Sequence, residues 1–189
     1  MNSQKVLYNK IGDDENYTPF YGVVPILKYV EEYWERNYTP CQKITIWCPF
    51  DKENSQFVLA LKELHFVKVV YSHIDYGQDF FEYEPSQWDI IISNPPFKKK
   101  KQFFERALSF GKPFALICTN AWLNDSGSKK VFLEAGRQMQ LLMFNNRMRF
   151  TNPEGRPNNK ITFSSSYYCC DFLPNDLILH GDLNISKKK

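Results

Sequence analysis

The segment Asn94-Pro95-Pro96-Phe97 combines residue types that can bind a planar amine and activate it. The two prolines carry no N–H donor and fix the backbone, while their carbonyls remain hydrogen-bond acceptors. The Asn94 side chain adds another acceptor, and Phe97 offers a flat ring for stacking. If the Asn94 oxygen and the Pro95 carbonyl bind both hydrogens of an exocyclic amine, the nitrogen lone pair leaves conjugation and becomes more nucleophilic. A proline-rich turn that simply ends a strand is the alternative interpretation.

The cysteines point away from metal and disulfide chemistry. No two of the five are spaced as CxxC, which argues against a zinc knuckle, and their odd number disfavours a disulfide framework. We therefore expect a reducing, cytoplasmic environment and no metal site. The five are Cys41, Cys48, Cys118, Cys169 and Cys170.

Short β-rich runs alternate with helical stretches along the chain. This alternation predicts an α/β fold with a doubly wound, mostly parallel sheet, in which ligands bind beyond the carboxyl ends of the strands. The run DIIIS, directly before Asn94, is apolar enough to be a strand buried on both faces. Strands are predicted at 43–48, 67–72, 89–93, 113–118, 140–144 and 161–172, and helices at 20–36, from a cap at Asn54 or Ser55 to Leu64, at 102–110 and at 126–137.

Composition sets the broad class of the protein. The 189 residues are 43% apolar and 16% aromatic, which predicts one folded domain over residues 1–189 and excludes a disordered tail protein. The net charge of +3 is too small to identify a partner by itself. Residues 1–15 contain no apolar stretch typical of a signal peptide and are expected to be flexible. No apolar run approaches the roughly 18 residues of a membrane span.

Basic residues concentrate in two places that favour binding to a phosphate backbone. One cluster, Lys98, Lys99, Lys100 and Lys101, directly follows the candidate amine site. The other is the segment 145–160, here called the basic loop, whose four basic residues against Glu154 give a local charge of +3. Its Phe150 could stack on a base or fill the space that a base vacates. The alternative interpretation is that both clusters are ordinary solvated surface charges. The four basic residues of the loop are Arg147, Arg149, Arg156 and Lys160.

Three short motifs together resemble a known enzyme family. Asn94-Pro95-Pro96-Phe97 after a strand resembles the catalytic motif of S-adenosylmethionine-dependent amino-methyltransferases, chiefly adenine-N6 DNA methyltransferases. Tyr17-Thr18-Pro19 resembles the cofactor motif that precedes the first strand in the gamma-ordered class of these enzymes. Asp79-Phe80-Phe81 is similar to the acidic-aromatic motif that contacts the cofactor adenine. The resemblance is greatest to small phage-type enzymes and covers roughly residues 16–172.

The resemblance implies a fold and a set of site residues. The fold is a class I methyltransferase-like Rossmann fold, with a seven-stranded, mostly parallel sheet and helices on both faces. The implied catalytic residues are Asn94, Pro95, Pro96 and Phe97. The implied residues that bind S-adenosylmethionine are Tyr17, Thr18, Pro19, Cys48, Pro49, Phe50, Asp51, Asp75, Asp79, Phe80 and Asn94.

One feature departs from the family pattern. The usual glycine-rich turn after the first strand is absent, and Cys48-Pro49-Phe50-Asp51 stands in its place. Asp51 could hydrogen-bond the ammonium or the ribose of the cofactor, or could merely place a negative charge at a helix start. After the second strand, Asp75 is preferred over His73 as the ribose-binding residue, with a plain turn residue equally open.

The activity implied is methyl transfer to N6 of adenine in duplex DNA, with the adenine flipped out of the helix. Methylation of another planar amine, in an RNA base or a protein glutamine, is the first alternative. A catalytically inert nucleic-acid-binding relative is the second. A chain of 189 residues leaves no room for a large target-recognition domain. Sequence specificity is therefore expected from inserted loops, a partner protein or a homodimer.

Overall fold

The computed structural model describes residues 16–152, 155–158 and 162–183; the predicted flexible segment 1–15 lies outside them. Within these residues, seven strands form one sheet, and four α-helices and three short 3₁₀ turns precede or connect them. The strands are β1 (Ile44–Cys48), β2 (Val67–Tyr71), β3 (Ile90–Ser93), β4 (Phe114–Thr119), β5 (Gln140–Phe144), β6 (Ser165–Cys170) and β7 (Leu177–His180). The helices are α1 (Phe20–Asn37), α2 (Gln56–Lys62), α3 (Lys100–Ser109) and α4 (Ser126–Glu134), and the 3₁₀ turns are Ile74–Tyr76, Phe97–Lys99 and Asn120–Asn124.

The sheet has the strand order β2-β1-β3-β4-β6-β5-β7. Only β6 runs antiparallel to its neighbours, and the other strands share one direction. The predicted seven-stranded, mostly parallel sheet is confirmed. The chain leaves β1 for β2 on one side and returns to β3 on the other, so the strand order reverses at β1. This reversal opens a crevice at the carboxyl ends of β1 and β3, where ligands bind in such sheets.

Apolar side chains of the helices cover the sheet on both faces. On one face, α1 and α2 bury Val23, Ile26 and Leu61 against the sheet. On the other face, α3 and α4 bury Phe104 and Phe132. Every residue of β3 and of β4 is buried, which explains why these strands read as continuous apolar runs. The strands that lead to the candidate site are therefore packed between two apolar cores.

The end of the sheet differs from the sequence prediction. The strand expected over 161–172 is shorter, because β6 spans only Ser165–Cys170 and the backbone turns away after it. The N–H groups of Phe172 and Leu173 donate to the Gln140 side chain, both at 2.9 Å, instead of continuing the ladder. The seventh strand, β7, was not located in the sequence and pairs in parallel with β5 at the edge. Among the described residues, no helix is both long enough and apolar enough to cross a membrane.

Candidate active site

A cavity of about 770 Å³ lies at the carboxyl ends of β1, β2 and β3. Its volume falls in the range of ordinary small-molecule sites, about 300–1,000 Å³. Most of the predicted cofactor and catalytic residues line it. The lining comes from Asn16–Tyr21, Pro49–Lys52, Asn54–Phe57, His73, Ile74, Gln78–Phe80, Asn94–Phe97, Phe103, Thr151, Asn152 and Gly155.

Asn94 directly follows β3 and lines this cavity, and a hydrogen bond orients its side-chain amide. Its Nδ2 donates a hydrogen bond to the main-chain oxygen of Asn16 at 3.0 Å. Its Oδ1 is buried and has no hydrogen-bond partner in the part of the chain that the structure describes. A buried acceptor without a partner costs about 1–3 kcal/mol. Asn94 therefore presents an acceptor that a ligand hydrogen could satisfy.

Phe97 packs against two other aromatic rings. Its ring lies edge-on to Phe150, with centroids 5.6 Å apart, and perpendicular to Phe163 at 5.1 Å. Phe150 is fully buried. From the sequence, Phe150 is expected to stack on a base or to fill the space that a base vacates. In the structure its ring lies in the core and packs against Phe97. Phe163 is half-buried and was missed in the sequence, where it lies just beyond the basic loop.

Asp51 places a buried carboxylate at the cavity end of β1. The side chain is only 8% exposed and accepts a hydrogen bond from the Ser93 hydroxyl, next to Asn94. Burial raises the pKa of Asp51 to about 6, against the smaller lowering effect of hydrogen bonds from Ser93 and Ser55. The Asp51 N–H also donates to the Ser72 carbonyl at 3.2 Å. The turn that replaces the glycine-rich segment is thus tied to both neighbouring strands.

Cys48 does not contribute to the cavity surface. It is the last residue of β1, is fully buried in the core, and is absent from the lining, whereas Pro49, Phe50 and Asp51 all line the cavity. Burial raises the pKa of the Cys48 thiol well above its usual value. Its predicted cofactor contact is therefore not supported, because an inward-pointing strand residue turns its side chain to the core.

The preference for Asp75 over His73 is also not supported. Asp75 is exposed and lies 2.7 Å from Lys52 Nζ in an ion pair, and the Lys52 hydrogen bond lowers the pKa of the Asp75 carboxyl. His73, not Asp75, lines the cavity. The His73 Nδ1 accepts the Asp75 N–H at 3.1 Å, which fixes the turn after β2. Asp75 thus pairs with Lys52 and does not line the cavity.

Asp79 and Phe80, which are predicted to bind the cofactor, both line the cavity. The Asp79 Oδ1 accepts the Phe81 N–H at 3.0 Å, which stabilises a turn around the motif. Phe80 is buried and packs against Phe50 at 4.9 Å and Phe103 at 6.1 Å. The aromatic wall of the cavity is therefore continuous with the core beneath it.

The segment Asn16–Tyr21 forms the other side of the cavity and is joined to the basic loop. Tyr17 and Thr151 exchange two backbone hydrogen bonds, both of 2.9 Å. The Tyr21 hydroxyl accepts the Arg149 N–H at 2.9 Å and donates to the Arg149 carbonyl at 3.2 Å. Thr18 is buried, and its Oγ1 has no hydrogen-bond partner within the described residues. The cavity thus contains a second unpaired polar atom.

Helix α1 packs closely against the basic loop at Gly22. A Cβ on Gly22 would lie 2.8 Å from the Met148 sulfur, so a larger residue would force the Met148 side chain to move. Met148 is buried, and the neighbouring Arg147 and Arg149 are exposed. The loop therefore packs through alternate side chains and leaves its arginines on the surface.

The two basic clusters are linked through the contact between Phe97 and Phe150. Lys98 and Lys101 are exposed, Lys99 and Lys100 are half-buried, and Lys101 pairs with Glu105 at 3.4 Å. Lys100 and Lys101 begin α3, where the helix dipole disfavours positive charge, and Lys98 and Lys99 lie in the 3₁₀ turn before it. Phe97, which precedes Lys98, contacts Phe150, which follows Arg149. Arg156 is exposed as well, while Lys160 lies outside the described residues.

Comparison with solved structures identifies the fold. A Listeria monocytogenes protein proposed to be a class I S-adenosylmethionine-dependent methyltransferase matches with a TM-score of 0.51 at 10% identity, over 88% of this chain and 65% of that one. A Pyrococcus horikoshii protein proposed to be an RNA methyltransferase matches with a TM-score of 0.46 at 13% identity, over 93% and 98% of the two chains. The first likeness shows that the chain has the class I methyltransferase fold, and at such identity it shows the fold alone. No family model matches the sequence, and no curated protein is significantly similar to it.

Proposed function

We propose that this protein is an S-adenosylmethionine-dependent methyltransferase that acts on N6 of adenine in duplex DNA. The observation that carries the proposal is the buried, unpartnered Oδ1 of Asn94 at the edge of a ligand-sized cavity. This acceptor lies beside the Pro95 carbonyl and Phe97, at the switch point of a class I methyltransferase fold. An exocyclic amine supplies the two hydrogens and the planar shape that such a group of atoms would bind.

The residues that line the cavity fit S-adenosylmethionine. Phe50, Phe80 and Phe103 provide an apolar aromatic wall suited to its adenine ring. The buried Asp51 carboxylate suits the ammonium group of its methionine part. The unpaired Thr18 Oγ1 offers one more polar contact. When bound, this cofactor supplies an electrophilic methyl group on a positively charged sulfur.

In the proposed reaction, the protein contributes orientation and electrostatics. Asn94 Oδ1 and the Pro95 carbonyl accept the two N6 hydrogens, and the ring of Phe97 stacks on the base. The nitrogen lone pair is then directed toward the cavity. The N6 nitrogen becomes strongly acidic once it is methylated, so its proton can pass to water or to Asn94. No strong base is required.

The exposed basic residues favour a nucleic acid over a protein substrate. Lys98 directly follows Phe97, and Arg147 and Arg149 closely precede Phe150, whose ring contacts Phe97. Phosphates of a flipped-out nucleotide would pass near these exposed basic residues. A protein glutamine would make little use of these charges. An RNA base would use them equally, so the choice of DNA over RNA rests on the resemblance of the catalytic motif.

The proposal is tested by offering several substrates to the purified protein. Tritiated S-adenosylmethionine is mixed with unmethylated plasmid DNA, total RNA or protein, and incorporated label is counted. Label in DNA supports the proposal, and label confined to RNA or protein contradicts the DNA substrate. Calorimetry of S-adenosylmethionine binding identifies an inert relative, which would bind no cofactor. The Asn94→Ala variant serves as the matched control and should incorporate little label.

A further inference from the structure

We propose that Asn158 and Asn16 form a positioning relay that commits the Asn94 amide to act as a hydrogen-bond acceptor. The Asn158 Nδ2 donates to Asn16 Oδ1 at 2.8 Å, and the Asn16 main-chain carbonyl accepts the Asn94 Nδ2 at 3.0 Å. This inference rests on the proposed function, because it concerns how Asn94 meets a substrate amine. Asn158 and Asn16 are positioning residues that act through Asn94.

An asparagine amide has a donor end and an acceptor end of nearly the same shape. Only the acceptor end can bind an amine hydrogen. In the observed orientation the Asn94 Nδ2 is satisfied by the Asn16 carbonyl and Oδ1 remains available. The reversed orientation would bring two oxygens together at the same distance. The Asn16 carbonyl therefore decides which end of Asn94 faces a ligand.

The Asn16 carbonyl must itself be held in place for this to work. The side-chain bond from Asn158 anchors Asn16, and the backbone pair between Tyr17 and Thr151 anchors the next residue. Asn158 in turn donates its own N–H to the Phe150 carbonyl at 2.8 Å. The ring of Phe150 supports Phe97. Through these contacts, both Asn94 and Phe97 are connected to the basic loop.

The relay has a consequence for substrate choice. An amide locked as an acceptor binds a base edge that donates, such as an exocyclic amine. It repels a carbonyl at the same position, because two acceptors would face each other with no hydrogen between them. The site should therefore favour adenine over a base that carries an oxygen in place of N6, such as hypoxanthine. Loosening the relay should weaken this discrimination.

The relay is tested with Asn158→Ala and Asn16→Ala, each of which removes the side-chain bond between the two residues. Asn16→Asp is the conservative variant, since a carboxylate oxygen still accepts from Asn158. Asn37→Ala is the matched control. The Asn37 Nδ2 also donates to a backbone carbonyl, that of Tyr33 at 2.7 Å, and Asn37 lies outside both the cavity lining and the basic loop.

We expect kcat for DNA methylation to fall at least about tenfold in both alanine variants, while the Kd for S-adenosylmethionine stays within about twofold. The double variant should be no worse than either single variant, as for residues that act through one contact. Asn16→Asp and Asn37→Ala should keep most of the wild-type kcat. An unchanged kcat in Asn158→Ala, or losses that multiply in the double variant, would overturn the relay.

A second readout needs no turnover. The two Nδ2 hydrogens of Asn94 can be assigned by NMR from the signals lost in Asn94→Ala. Their exchange with solvent should be faster in Asn158→Ala than in wild type, and equal rates would overturn the relay even in an inactive protein. If wild type methylates DNA and the Asn158→Ala variant is normal in both assays, only the relay is wrong. If wild type transfers no methyl group, the proposed function itself fails.

Discussion

Replacing Asp51 with Asn isolates the charge of the buried carboxylate, because the amide keeps its shape and still accepts from the Ser93 hydroxyl. Burial raises the pKa of Asp51 from 3.8 to about 6, so the folded state holds the proton more tightly than the unfolded state. Stability therefore falls as the pH rises from about 4 to about 6, and the ionised carboxylate destabilises the fold at neutral pH. Because protonation of Asp51 is coupled to folding, a pKa shift of this size lowers the free energy of unfolding by about 3 kcal/mol at pH 7.5 and by about 1 kcal/mol at pH 4.5.

Asp51→Asn should therefore stabilise the protein, by up to about 3 kcal/mol at pH 7.5 and by much less at pH 4.5. Urea unfolding at the two pH values measures both differences. The same variant should bind S-adenosylmethionine at least about tenfold more weakly, since a charge-assisted contact worth about 1.5–3 kcal/mol is lost.

Calorimetry should also show wild-type affinity for the cofactor rising between pH 5 and pH 7, as Asp51 ionises, and a flat profile for the variant. Asp182→Asn removes an exposed carboxylate outside the cavity and is the control, with neither effect expected. A variant that is less stable than wild type at pH 7.5, or that keeps the wild-type pH profile of binding, would refute the reasoning.

Three further outcomes follow from the site. Asp79→Ala should weaken S-adenosylmethionine binding by about 1–3 kcal/mol in calorimetry, whereas Asp75→Ala, which breaks only an exposed ion pair with Lys52, should change it little. Phe97→Ala should lower the free energy of unfolding by about 1–3 kcal/mol, because the ring packs on two others, and Phe97→Tyr should retain both stability and methylation. Replacing Arg147 and Arg149 by Ala should reduce the slope of log K for DNA against log salt by about one unit per lost phosphate contact, and an unchanged slope would place these arginines away from DNA.

The sequence predicts the fold where local signals and burial agree. The apolar runs at Ile90–Ser93 and Phe114–Thr119 are strands because they lie at the centre of the sheet, buried on both faces. Ser55 caps α2 by accepting the Val58 N–H at 3.2 Å, as its residue type indicates. By contrast, β7 has exposed leucines at an edge and no strong pattern, so only its pairing with β5 defines it.

Some features of the site can likewise be predicted from the sequence, and others cannot. The motif Asn94–Phe97 is recognisable because a strand, two prolines and an aromatic residue are adjacent in sequence. The contact between Asn16 and Asn94 joins residues 78 positions apart, and no local pattern announces it. Asp75 and His73 differ by two positions in one turn, and only the three-dimensional turn shows which faces the cavity. Phe150 could be assigned to the surface by its basic neighbours, yet alternate side chains of that segment point inward.

The most direct test of the central claim is to find where the methyl group goes. Wild type and Asn94→Ala are incubated with unmethylated duplex DNA and S-adenosylmethionine, and the nucleosides released from the DNA are separated and identified by mass spectrometry. We predict N6-methyladenine with wild type, and a rate about 10²–10³-fold lower with Asn94→Ala, since a hydrogen bond to the developing charge is lost. Methylation at the wild-type rate by the variant, or methyl groups found only on other bases, would contradict the account.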